Sequence, residues 1–498
     1  MASESVGMVT YGNAMDTRRG GLWGIPMGVT LAGIPVVVLA VVLMVVQLWW
    51  WVLAVIGVSV VLLALLMFTR QGRTVYQRRA IRSAHRRATR RGHTVAVGGP
   101  AGKQPGGTYQ LPGLMAPSEL SEHVDPYGRP FALLALHSAR HYTVVIDTHP
   151  DGDALVDQAR IDSQVAHWGA WLAQLGVEDG IVGASVTVET APDSGVRLRN
   201  MADAKRDKES PSFSREVAAA VVDELATGSP VVSTKIAVTF NGADGRGGDR
   251  GTAAMAEEIG NRLPELLAGL RDTGASTAVR ACRAADIVDS TRTAYDPTVA
   301  VQIERARSQN GTGLTWAEAG PAFAEDQIDQ YFHDRAVSRS WQMWRPPTGV
   351  FYSSVLRRLQ APTKDVLRKR VTMLYRPIPA GDAGAVIESE INNATWTGSQ
   401  KQRPSARAKA RLAYAQKAAQ EEAQGAGLLR FGMIVTVTCA STDMLPKLDK
   451  VIPSLGNQAK LKLRPALGNQ AVTFQAGLPL GVVLPEHSLV PTAMRDYL

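Results

Sequence analysis

"GIPVVVLAVVLMVVQLWWWVLAVIGVSVVLLALLMF", residues 33–68, is apolar almost without interruption, and no Asp, Glu, Lys or Arg occurs from Gly20 to Thr69. A bilayer core about 30 Å thick is crossed by roughly 20 helical residues. The run is therefore long enough for two spans, about Ile25 to Val46 and Trp49 to Phe68, with Gln47 and Leu48 left for a turn. Tryptophan favours the membrane-water interface, which places Trp23, Trp49, Trp50 and Trp51 there. A buried hairpin in a globular core would carry polar faces, and a cleaved signal peptide would be shorter. The expectation is a two-span transmembrane helical hairpin followed by a cytoplasmic α+β region.

The stretch "RQGRTVYQRRAIRSAHRRATRR", residues 70–91, comes next. It holds Arg70, Arg73, Arg78, Arg79, Arg82, Arg86, Arg87, Arg90 and Arg91, one histidine and no acid. The chain's formal charge is +9, so everything outside this block sums to zero. Arg18 and Arg19 lie on the other side of the apolar run, and the positive-inside rule then puts both ends in the cytoplasm of a two-pass plasma-membrane protein. At 100° per residue Arg78, Arg79, Arg82, Arg86 and Arg90 share an arc of roughly 120°, while Ala80, Ile81, Ala84 and Ala88 share another face. Such a helix just inside a membrane attracts anionic lipid at about 1 kcal/mol per residue. An acidic partner protein is the second reading. Direct nucleic-acid contact is disfavoured, because Tyr76 is the block's sole ring and single-strand binding uses stacking platforms.

Composition divides the chain into a tail (1–24), the hairpin (25–68), a basic juxtamembrane helix (69–92), a Gly/Pro-rich linker (93–117), an α+β domain (118–274), a helical or irregular middle (275–365) and a second α/β module (366–498). Apolar runs and alternation mark strands in "RPFALLAL", "HYTVVID", "GIVGASVTVET" and "VVSTKIAVTFN", then in "RKRVTMLYRP", "LLRFGMIVTVTCA" and "AKLKLRP". Helical spacing falls between them. Mixed β and α of this order suggests two similar modules, ferredoxin-like or related, with helices over one sheet face. The two cysteines, Cys282 and Cys439, suit a reducing compartment and imply no disulfide framework.

Motifs for chemistry are sparse. Gly102-Lys103 lacks the rest of a P-loop, with Val97 and Gln104 at the other required places. "GADGRGGDRG" misses dinucleotide spacing. His137 and His141 fall between strands without further ligands, and Asp329, His333 and Asp334 supply an isolated His-Asp pair. Asp151 and Asp153 read as a turn and a helix cap. No nucleophile elbow occurs. No catalytic, cofactor or metal residue is assigned, and a scaffold or docking role is expected over an enzyme; one acting on lipid or cell-wall precursors is the contrasting class.

The closing segment "VTFQAGLPLGVVLPEH", with Phe474, Leu478, Pro479 and Gly481, resembles the phenylalanine and leucine-proline-glycine signature that ends the N-terminal domain of VirB/TrbE/CagE-type ATPases of conjugation and type IV secretion. Leu480 separates Pro479 from Gly481, a departure from that signature. "EEAQGAGLLRFGMIVTVTC" and "LPKLDKVIPSLG" are similar to the same domain. The short apolar hairpin with its basic flank resembles PrgI-like subunits. The layout of "GRTVYQR", "LPGLMAPSEL", "VAHWGAWLAQLG", "AYDPT", "YFHD" and "KRVTMLYRP" resembles actinobacterial integral membrane proteins found with transfer genes. The resemblance implies a membrane-anchored, non-catalytic component without cofactors that docks a separately encoded P-loop transfer ATPase and other channel subunits. An EccE-like component of type VII secretion is the alternative, and self-association stays open.

Overall fold

Among the described residues no helix is long and apolar enough to cross a membrane. The computed structural model describes Pro35 and residues 38–488 apart from 68, 103, 151, 153–155, 208, 227–229, 277, 348–350, 400–405, 424 and 426. Gln47 takes a left-handed φ of 58° at a turn. Helix α1 (Trp49–Met67) follows with 19 residues, and the chain then reverses through β1 (Thr69–Arg70) and β2 (Arg73–Thr74). The described part of the apolar run is thus broken at Gln47 and turns back after Met67. The expected two-span transmembrane hairpin is thereby corrected, together with the membrane and transmembrane assignment and the two-pass plasma-membrane localisation. Apolar composition counts residues, whereas a span needs them in one unbroken helix. Trp23, and most of the expected first span before residue 38, lie outside the described residues.

Helix α2 (Val75–Arg90) begins at a capping box: the Gln77 amide donates to Thr74 Oγ1 at 3.2 Å and the Thr74 amide to Gln77 Oε1 at 3.0 Å. The segment read as a linker, 93–117, is tied to the body. It contributes β3 (Val95–Val97) and the fully buried Leu111 and Met115.

Everything after it is organised by one antiparallel sheet of 13 strands. Its first half runs β4 (Ser118–Val124), β5 (Pro130–Leu136), β6 (His141–Thr148), α3 (Gln158–Val177), β7 (Ile181–Pro192), α4 (Val196–Ala204), α5 (Ser212–Ala226), β8 (Pro230–Asn241), α6 (Thr252–Gly269), β9 (Arg280–Ala281) and α7 (Ala284–Tyr295). Helix α8 (Ala300–Ser308) leads onward. The second half repeats the series: β10 (Phe323–Asp326), β11 (Tyr331–His333), β12 (Ala336–Arg345), α9 (Arg357–Gln360), β13 (Arg368–Pro377), α10 (Ala380–Ser399), α11 (Ala406–Ala423), β14 (Leu429–Cys439), α12 (Leu445–Gln458), β15 (Lys462–Pro465) and α13 (Gln470–Ala476). The middle expected to be helical or irregular thus holds four strands, β9 to β12, and β12 belongs with β13 across the expected boundary at 365.

Pairing shows the duplication. In the first half the lateral order is β9-β6-β8-β7, and in the second β15-β12-β14-β13. Both are the fourth-first-third-second order of a split β-α-β unit, each with a helical pair inserted before its third strand. β7 and β13 then pair with each other, from Lys369 opposite Thr190 to Tyr375 opposite Ala184. Thr187 faces Thr372 at the middle of this seam, and their hydroxyls are 3.1 Å apart. The halves are related about that point, so the expected separate modules form one sheet.

Alternation separates two faces. On one, Val144, Ile146, Ile236 and Val238 of the first half pack under α3 and α6, and the Trp171 indole donates to the Leu266 carbonyl at 3.1 Å, joining those helices. Val371, Val435 and Val437 of the second half pack under α9 and α12. The other face is rich in hydroxyls, which pair between strands: Thr143 with Thr239 at 3.0 Å, Ser338 with Thr438 at 2.7 Å and Ser340 with Thr436 at 2.9 Å. A single apolar cluster, including Leu134, Ile287, Tyr295, Ile434 and Phe474, covers this face across both halves.

Candidate functional site

What crosses the hydroxyl face is the chain after α13. Phe474 is fully buried among Tyr295, Tyr331 and His333, with ring centroids 5.1, 5.3 and 4.7 Å away. The next residues pass over the seam as a strap. Thr372 Oγ1 donates to the Gly477 carbonyl at 2.8 Å, and Thr239 Oγ1 donates to the Gly481 carbonyl at 2.9 Å. Strand hydroxyls thus serve the carbonyls of a segment that has no strand partner of its own, as buried backbone groups require. Gly481 has φ +68°, and a Cβ there would meet the hydroxyls of Thr143 and Thr239, so only glycine can lie this low on the sheet. The structure brings Phe474, Leu478, Pro479 and Gly481 together as this one strap; Leu478 is buried and Pro479 half-buried.

Two openings flank the strap. One is apolar, about 670 Å³ with its mouth included, lined by Ser185, Leu374, Tyr375, Phe431, Val483 and Pro485 among others. The second is polar, lined by Thr187, Glu189, Ser233, Lys235, Ser290, Thr291, Arg370, Leu478 and Pro479. Counting outward from Thr187 and Thr372, Ser185 and Leu374 stand on one side where Glu189 and Arg370 stand on the other. The duplicated scaffold therefore carries different chemistry at equivalent places. Sequence reading missed Glu189, Lys235 and Arg370. "VTVET" and "KRVTML" show only strand alternation, and the strap that buries their polar residues comes far later in the chain.

The arginines form a second surface. Arg79, Arg82, Arg86, Arg87, Arg90 and Arg91 are exposed, and Arg78 is half-buried. The Arg70 side chain lies outside the described part. Arg73 is separate from the row: it is buried, shifted below the ordinary guanidinium range by burial and the nearby Arg78, and its Nη1 donates to the Pro465 carbonyl at 3.5 Å. Ile81, His85 and Ala88 turn toward the body, where a Cβ on Gly468 would lie 2.6 Å from Ile81 Cγ2. α2 is thus fixed by one face and presents arginines on the other, with Arg87 and Arg90 in its last turn, where the helix dipole favours cations. Trp49, Trp50 and Trp51 are exposed on α1.

The other sequence candidates have structural partners. His333 is fully buried, with Nδ1 at 2.5 Å from the Tyr295 carbonyl and Nε2 at 2.7 Å from Ser338 Oγ. Desolvation pushes its pKa down to about 4, against the carbonyl hydrogen bond, which raises it. Asp329 pairs with Arg339 at 3.0 Å and Asp334 with Arg292 at 2.8 Å. His137 turns to Asp249, with Nδ1 2.8 Å from Oδ2, while His141 is buried near His487. The glycine-rich loop closes on itself, because Asp244 Oδ1 accepts from the Arg246 and Gly248 amides at 2.9 and 2.6 Å. Both cysteines are free and buried. Asp151 and Asp153 lie outside the described residues; α3 starts after Asp157. Among the described residues no three His, Cys, Asp or Glu side chains converge to hold a metal.

Comparison with protein families matches residues 18–77 to a domain of unknown function, DUF8461. The match covers the apolar run and the first residues of α2, and stops before the sheet. No curated protein matches the chain.

Proposed function

We propose that this protein is a non-catalytic docking subunit of a conjugation or type IV-like transfer apparatus. In this reading α2 holds an acidic surface of a separately encoded P-loop ATPase. The observation that carries it is the arginine face of α2: a helix with no acidic residue, packed on the body by one side and exposing Arg79, Arg82, Arg86 and Arg90 on the other. Charge presented on a fixed helix steers and orients a partner of opposite sign. A lipid reading of these arginines depends on a membrane-spanning hairpin before them, so the acidic partner is preferred. The ATPase is suggested by the resemblance of the strap to the signature closing the N-terminal domain of such motors.

The test is affinity capture of the full chain with its neighbours, repeated with Arg79, Arg82, Arg86 and Arg90 changed to Gln. Capture of a transfer ATPase that is lost in the variant, and that weakens as salt is raised, is the expected result. Each exposed pair contributes up to about 1 kcal/mol, so four together change affinity by up to roughly a thousandfold. Recovery of type VII secretion components in place of a transfer ATPase would sink this reading, as would a variant that loses DNA binding alone.

A further inference from the structure

The polar opening beside the strap contains a charge without adequate partners. Arg370 is 1 % exposed, and its Nε, Nη1 and Nη2 are buried without a hydrogen-bond partner. Its guanidinium carbon stands 4.5 Å over the Phe474 ring, and Nε is 3.6 Å from Glu189 Oε2, beyond hydrogen-bond reach. Glu189 is already engaged, since Arg368 Nη1 donates to its Oε1. A buried guanidinium stripped of water and left unbonded costs several kcal/mol. Such a group in a native structure calls for a partner, and a bound ion is one.

The surroundings specify the ligand's sign and size. Glu189 is held below the usual carboxylate range, against its own desolvation, by Arg368, Arg370 and Lys235. Three cations face this carboxylate, and with the three acids and two arginines of the next shell counted the surplus is one positive charge. Desolvation lowers the Arg370 pKa to about 10, so it stays charged at neutral pH. In the next shell Arg280 pairs with Asp147 and Asp286, and Arg307 with Asp286 and Asp289, while Asp147 also stands opposite Lys235 in the sheet. Hydroxyls of Thr187, Ser233, Ser290 and Thr291 complete the lining, and Leu478 and Pro479 of the strap form one wall. The opening is about 340 Å³ with its mouth included, about half the apolar one. It accommodates a compact group.

We propose that this cleft binds a tetrahedral oxyanion of the phosphate class, free or as a phosphoryl group, between Arg370, Lys235 and the hydroxyls of α7. A bound anion would receive charge-assisted hydrogen bonds from a guanidinium already fixed by Phe474. It would also link strands of both halves to the strap, since Lys235 belongs to β8, Arg370 to β13 and the wall to residues 478 and 479. Its binding would therefore stabilise the closed strap by mass action.

The experiment is titration calorimetry and thermal unfolding of the full chain with inorganic phosphate, with O-phosphoserine and with chloride at matched ionic strength. Saturable phosphate binding, one per chain, with a raised Tm that chloride does not reproduce, is expected. Lys235→Met should weaken it about tenfold, the value of one charge-assisted hydrogen bond. O-phosphoserine binding as tightly as phosphate identifies the source as a phosphorylated group, and weaker binding identifies the free ion. Arg370→Met removes the buried charge without opening a hole. It should be no less stable than the parent in phosphate-free buffer, yet gain nothing from phosphate. Absence of saturable binding, an equal effect of chloride, or equal loss of stability by Arg370→Met in both buffers would overturn the proposal.

Discussion

His333 shows how a residue type that suggests chemistry is used for packing. It lies between the Tyr295 carbonyl and the Ser338 hydroxyl, with the Arg370 charge also opposing its protonation. Its folded pKa of about 4 lies below the unfolded value of about 6.5. Above pH 6.5 the ring is neutral in both states and costs nothing. As pH falls from 6.5 toward 4 the unfolded chain takes up a proton that the native one refuses, so stability drops, by up to about 3 kcal/mol near pH 4. Urea unfolding between pH 7 and 4.5 should show this slope, and His333→Gln should flatten it; an unchanged slope would place the titration elsewhere, at His141 or His487, which burial also depresses. The dipeptide His333-Asp334 was visible in the sequence. Its burial was not, because the groups that satisfy it come from Tyr295 and Ser338 on separate elements. Arg370 and Glu189 were illegible for the same reason: cross-strand neighbours 181 positions apart leave no local pattern.

At the scale of elements the strap decides the architecture. It serves β8 and β13 through carbonyls accepting from Thr239 and Thr372, and its closest approach is at Gly481. Gly481→Ala imposes a left-handed backbone on a residue with a Cβ, about 1–2 kcal/mol, and overpacks the threonine pair by a further 1–3 kcal/mol or so. A loss of about 3 kcal/mol is expected in chemical unfolding, whereas Gly245→Ala, where a Cβ meets nothing within 4 Å, should stay within about 0.5 kcal/mol. Equal effects would show that the strap does not lie on the threonines. The sequence made the strands β5 to β8 and β13 to β15 legible, through apolar runs and alternation. It hid β10 to β12. "AVSRSWQMWR" in β12 has its serines on the hydroxyl face, so its polar positions imitate a loop. The same limit applied to residues 33–68, where apolarity was plain and helix length was not.

For the whole molecule, the duplication makes the halves interdependent. The seam between β7 and β13 and the shared apolar layer are both internal, and β3 of the N-terminal side pairs with β10 of the second half. A protease site inserted at the exposed turn around Gly311 should be cut without separating the fragments, which should co-elute in gel filtration and unfold in one transition. Independent elution would mean that the seam is weak. The strap also bears on how the protein is made. Thr239 waits for a carbonyl 242 positions further along the chain, and contacts of that separation are slow to form. During synthesis the first half leaves the ribosome with the part of its hydroxyl face under the strap uncovered, and it stays so until almost all of the second half has emerged. That interval is when a chaperone would have to guard it, and a transcript truncated before residue 474 would yield a chain that never passes beyond it.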